Sequence, residues 1–135
     1  MVIPQGNNKE DLDRRKDIIS QVYRKWTEKH PDKRVFNQSL QGYINIRFLS
    51  ITETIRHASK TPASTGALLH LDNILSEAMI YGKPKAAKKG VKNQKAFIKM
   101  LELRCELEGV GTVKMMVGVK PTGEMIQYCI TAVRT

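Results

Sequence analysis

The last third of the chain alternates with a period of two. Leu101, Leu103, Cys105 and Leu107 are separated by Glu102, Arg104 and Glu106, and Val113, Met115, Val117 and Val119 repeat the pattern. Successive side chains of a strand point to opposite faces, so each run has one apolar side to cover. Glu108-Gly109-Val110-Gly111 and Pro121-Thr122-Gly123 are turn signals between the runs, and Met125 to Val133 is rich in β-formers. Lys, Met, Leu and Glu of this region are also good helix formers, so the strand assignment rests on the alternation. Residues 97–133 are expected to form a three-stranded antiparallel meander, with helices 51–59 and 65–79 packed on one face.

The residues ahead of the meander read differently. Residues 1–8 are expected to be a flexible tail, and residues 9–135 one α+β domain. From Lys9 to Lys29, Leu12, Ile19, Tyr23 and Trp26 recur at helical spacing, with Ile18 and Val22 widening the stripe. His30-Pro31-Asp32 ends that helix, because Pro31 disfavours helix at the residue before it. Gly42 to Leu49 alternates again, with Ile44, Ile46 and Phe48 against Tyr43, Asn45 and Arg47. Ser50 and Glu53 match a capping box opening the next helix. Thr61-Pro62-Ala63 breaks that helix, and Ser64 or Thr65 is placed to cap another, whose apolar stripe is Ala67, Leu68, Leu71, Ile74, Leu75 and Ala78. The expected order is α, β, α, α, β, β, β, with no internal repeat.

Charge points to a partner class. The 135 residues carry a net charge of +10. The excess is local: residues 83–95 hold six lysines and no acid, whereas residues 35–82 hold three basic and three acidic side chains. Lys83, Lys85, Lys88, Lys89, Lys92 and Lys95 suit contact with a phosphate backbone, and a solvated loop has the same composition. The expected partner is nucleic acid. No apolar run approaches a membrane span, the N-terminal residues lack the apolar core of a signal peptide, and Cys105 and Cys129 show no C-x-x-C spacing. Those features predict a cytoplasmic protein with reduced thiols and no membrane partner.

One segment carries candidate chemistry. Glu53, His57 and Lys60 follow one another at i, i+4 and i+7, so a helix stacks them on one face, with Ile51, Ile55 and Ala58 opposite. A carboxylate, an imidazole and an ammonium together suit proton transfer near a phosphate. An ordinary solvated face has the same composition, and Glu53 has the alternative task of capping its own helix. His30 sits in a Pro-bounded turn and His70 at the edge of an amphipathic helix, so both read as structural or solvated. Gly82-Lys83-Pro84 is no phosphate loop, and the three histidines and two cysteines lack zinc spacing. No metal and no cofactor is expected.

The I-N-I strand end, the I-R-H-A-S-K helix end and A-L-L-H-L-D-N-I-L-S-E-A-M-I-Y, followed by G-V-G-T-V-K-M-M-V-G-V and Q-Y-C-I-T-A-V, resemble a group of small domains from phages and conjugative elements. Those domains are fused into long polyvalent proteins and resemble the barnase, EndoU, colicin and RelE-like (BECR) nuclease fold. The resemblance spans roughly residues 35–133. It implies metal-independent endoribonuclease chemistry, in which the RNA 2′-hydroxyl attacks the adjacent phosphorus. It implies His57 as a proton carrier, Lys60 as a phosphate contact, and Lys114 and Thr131 as the basic and hydroxyl groups on the strands. Glu53 or Lys60 would then be the second proton carrier, and Arg56 a further phosphate contact. RNA is expected in preference to DNA. A non-catalytic nucleic-acid-binding module on the same scaffold and a protein-interaction domain are the alternatives.

Overall fold

The computed structural model describes residues 2–133. Helix α1 (Lys9–Lys29) leads to strands β1 (Arg34–Asn37) and β2 (Gly42–Asn45), then α2 (Phe48–Ala58) and α3 (Pro62–Ala67). A 3₁₀ turn at Leu68–His70 joins α3 to α4 (Leu71–Glu77). The short strands β3 (Met79–Ile80) and β4 (Lys85–Ala86) precede β5 (Lys99–Leu107), β6 (Gly111–Val119) and β7 (Met125–Ala132). All seven strands join one sheet in the order β1-β2-β7-β6-β5-β3, with β4 also on β5. The β5-β6-β7 part is the expected antiparallel meander, whereas β2 pairs parallel to β7 and makes the sheet mixed.

The helices cover one face. Leu103, Val113, Met115, Val117 and Ile130 pack with Ile19, Tyr23 and Trp26 of α1, Ala58 of α2, and Leu68, Leu71, Ile74 and Leu75 of the α3–α4 region. Three polar side chains inside this layer are closed on one another. The Tyr23 hydroxyl donates to Gln127 Oε1 at 2.6 Å and lies 3.2 Å from Thr54 Oγ1, which accepts from Gln127 Nε2 at 2.9 Å. This triangle ties α1 and α2 to β7. Arg15 fills the seven-residue gap between Leu12 and Ile19 on the α1 stripe. It is fully buried, donating to the carbonyls of Ser59 at 2.7 Å, Pro4 at 2.9 Å and Gly6 at 2.6 Å.

Several boundaries differ from the sequence reading, each for a local reason. The strand at Gly42 ends at Asn45, and the helix starts at Phe48, five residues before Glu53. Ser50 is the third helical residue rather than the cap, and its hydroxyl accepts from the Arg47 N–H at 3.0 Å. Glu53 therefore does not cap its helix. α2 ends at Ala58, so Lys60 lies in the following turn and not on the Glu53–His57 face. The second helix begins at Pro62, the position where a missing N–H costs nothing, and Thr61 caps it through the Ser64 N–H at 3.1 Å. β1, β3 and β4 have too few residues to show a period. Among the described residues no helix is long and apolar enough to cross a membrane.

Two features of the meander shape its second face. Gly109 has φ +78°, which the β5–β6 turn requires and a residue with a Cβ resists. In β7 the register shifts: Met116 pairs with Cys129 but Val117 with Gln127, so Tyr128 is an extra, bulged residue. The bulge lets Tyr128 and Cys129, neighbours in sequence, both face away from the helices, and it returns Ile130 to the core. Strict alternation from Ile126 would have put Thr131 on the helix side.

Candidate active site

Beyond Asn45 and Ile126 the β2–β7 pairing stops, and α2 packs beside the rest of β7. Thr54 faces the core triangle, while Glu53 and His57 reach the opposite, helix-free side of the sheet. There a cleft of about 440 Å³ is lined by Arg56 and His57 of α2, by Glu102, Lys114, Met116, Tyr128, Cys129 and Thr131 of the sheet, and by Lys85, Lys88, Val91 and Gln94 of the lysine-rich segment. That segment crosses the sheet as a strap. Phe97 anchors its far end: a Cβ on Gly118 would lie 2.5 Å from the Phe97 ring, so only glycine permits this seat. Met100, Ile126 and Tyr128 complete a small second apolar cluster around it.

Glu53 is 4% exposed and holds the wall of the cleft together. Its Oε1 accepts from Arg56 Nη2 at 3.2 Å and its Oε2 from Asn93 Nδ2 at 3.1 Å, and the Tyr128 hydroxyl faces it. Burial acts to raise the carboxyl, but those donors and the Arg56 charge outweigh it, and Glu53 titrates below the ordinary carboxylate value. Tyr128 is raised, first by burial and then by the Glu53 carboxylate it faces, and it stays a protonated phenol.

His57 lies 4.0 Å from Glu53 Oε1 through Nε2, too long for a hydrogen bond, and 3.3 Å from Arg56 Nη2. A guanidinium only donates, so Nε2 here carries the lone pair and the ring is neutral. The electrostatic surroundings agree. Burial lowers the His57 pKa, and the positive charges of Arg56, Lys60 and Lys114 lower it further against the pull of Glu53. Burial pushes the Cys129 thiol up to about 11, so it is not a thiolate nucleophile at neutral pH.

Of the residues singled out from the sequence, Arg56, His57, Lys85, Lys88, Lys114 and Thr131 line this one cleft, and Glu53 backs it. Lys114 and Thr131 are paired across β6 and β7. Lys60 is exposed beyond α2, and Lys83, Lys89, Lys92 and Lys95 are exposed on the strap without lining the cleft. His30 stacks on Trp26 at 4.6 Å and meets Asp72 at 3.0 Å on the helix side, and His70 is exposed there. Sequence reasoning missed Tyr128, Asn93, Gln94 and Glu102. The one available signal was Tyr128-Cys129-Ile130, where the apolar alternation breaks. Among the described residues no three His, Cys, Asp or Glu side chains converge as a metal centre needs.

Comparison with curated proteins and with solved structures gives no match. The family profile of large polyvalent protein-associated domain 3 matches residues 14–128, from the first third of α1 to the bulge of β7. With all but the ends of the chain covered, this protein belongs to the large polyvalent protein-associated domain 3 family.

Proposed function

We propose that the domain is a metal-independent ribonuclease of the BECR type, carried by a mobile element and working on RNA in the cytoplasm. The observation that supports it is a neutral imidazole, an ionised carboxylate and a protonated phenol on one wall of a cleft rimmed by Arg56, Lys85, Lys88 and Lys114. A polyanion is drawn to such a rim. The α+β order with an antiparallel meander is also compatible with that fold.

In this reading Arg56 turns from His57 Nε2 to the phosphate, and the freed Nε2 lone pair takes the proton of the 2′-hydroxyl as its oxygen bonds to phosphorus. The bond from phosphorus to the 5′-oxygen breaks, and Tyr128 supplies the proton that oxygen needs. Arg56 and Lys114 offset the charge on the phosphoryl oxygens. Glu53 is too acidic to donate a proton at neutral pH, so its part is to hold Arg56 in place. The products are a 2′,3′-cyclic phosphate and a 5′-hydroxyl end.

The test is cleavage of single-stranded RNA in the presence of EDTA, with wild type against His57→Ala. The wild type is expected to cleave, and the variant to lose a factor of about 10² or more. RNA bound by the wild type but left intact would reduce the cleft to a nucleic-acid-binding module.

A further inference from the structure

The lysine strap is held over the cleft by few contacts. β4 fixes one end on β5, and Phe97 fixes the other against Gly118. Between them only Ala87 joins the apolar cluster. Asn93 donates to Glu53 Oε2 at 3.1 Å, and Gln94, which lines the cleft together with Tyr128, accepts from the Lys88 N–H at 2.9 Å. Against these bonds stands like-charge repulsion. Six lysines fall within residues 83–95, and among the described residues only Lys85 has an acidic partner, Glu102 at 3.9 Å. A segment with little buried apolar surface and mutually repelling charges opens at low cost.

The bond that shuts the strap lands on the carboxylate that backs the cleft. We propose that residues 87–96 form a gate, latched by Asn93 onto Glu53 with Gln94 closing the strap on itself beside Tyr128, whose release admits a polynucleotide backbone. A polyanion reaching Lys89, Lys92 and Lys95 neutralises them on the outside while the latch opens within. The significance of the gate for catalysis rests on the ribonuclease reading; its mechanics do not.

The experiment compares wild type with the Asn93→Ala/Gln94→Ala double variant in two measurements that need no cleavage of nucleic acid. Trypsin nicks an open strap at its lysines, and losing a bond to a charged group and its neighbour is expected to raise the nicking rate about tenfold. Stopped-flow anisotropy then follows association of a fluorescent single-stranded oligodeoxynucleotide, which lacks the 2′-hydroxyl. The variant is expected to associate faster by a similar factor. Removing Asn93 also bares the Glu53 charge, which slows a polyanion, so faster association reads gate release. An unchanged nicking rate overturns the latch. Faster nicking with unchanged or slower association overturns the gate. Both outcomes are independent of whether the wild type cleaves RNA.

Discussion

The two faces of the sheet are built from the same three long strands and do opposite work. On the helix side, β5, β6 and β7 present Leu103, Val113, Met115, Val117 and Ile130, all fully buried. The side chains of Tyr23, Thr54 and Gln127 there bond only to one another. On the strap side the same strands present Glu102, Lys114, Cys129 and Thr131, and the space above them is left as a cleft. One face trades chemistry for packing; the other keeps titratable groups at the edge of water. α2 serves both, with Thr54 turned inward and Glu53 and His57 turned outward, and the β7 bulge divides Cys129 from Ile130.

Substitutions on the two faces should therefore separate stability from activity. Leu103→Ala empties part of the helix side and is expected to lower stability by about 2–5 kcal/mol in denaturant titrations. His57→Ala, on the other face, is expected to stay within about 0.5 kcal/mol of wild type in the same titrations. A large loss for His57→Ala would make it a structural residue. Gly118→Val tests the second apolar cluster. Its Cβ would meet the Phe97 ring, and the expected loss is about 1–3 kcal/mol. Retained stability there would mean that the strap anchor is dispensable.

Titration gives a smaller contrast. His57 is lowered in the folded protein, so between its folded value and the ordinary 6.5 the unfolded chain binds more protons. Its contribution is present above 6.5 and lost as pH falls below it. Glu53 behaves alike lower down, contributing above the ordinary 4.5 and losing that contribution as pH falls through its folded value. On the helix side Tyr23 is raised by burial, so its contribution is present below 10.0 and lost at high pH. Melting curves against pH should fall on the acid side less steeply for His57→Gln than for wild type. An unchanged slope would remove His57 from the linkage. Smallest of all, Lys88→Glu with Lys89→Glu should leave stability alone and flatten the salt dependence of RNA binding. Binding insensitive to salt would leave the strap lysines as solvated charge.

What the sequence revealed follows the same division. The meander was readable because each strand has one apolar face, and that periodicity survives in nine-residue strands such as β5 and β6. The α1 stripe was readable for the same reason, apart from Arg15, which is buried by three backbone carbonyls that no side-chain pattern announces. The cleft was half readable. Glu53 and His57 share a helix turn, so their neighbourhood is local. Tyr128 joins them through a bulge, and Asn93 through a strap crossing forty positions of sequence, and neither leaves a period. The S-x-x-E pattern at Ser50 misled because the backbone enters the helix three residues earlier, at Arg47.

If the strap-side cleft performs 2′-hydroxyl chemistry, the products of cleavage carry its signature. The most direct measurement is mass spectrometry of the products from one RNA oligonucleotide incubated with the wild-type protein and EDTA. A second oligonucleotide, with a single 2′-deoxy residue at the cleaved position, is treated alike. A 2′,3′-cyclic phosphate is expected from the first and no cut at the deoxy position of the second. A cut at the deoxy position, or a 5′-phosphate product, would contradict it.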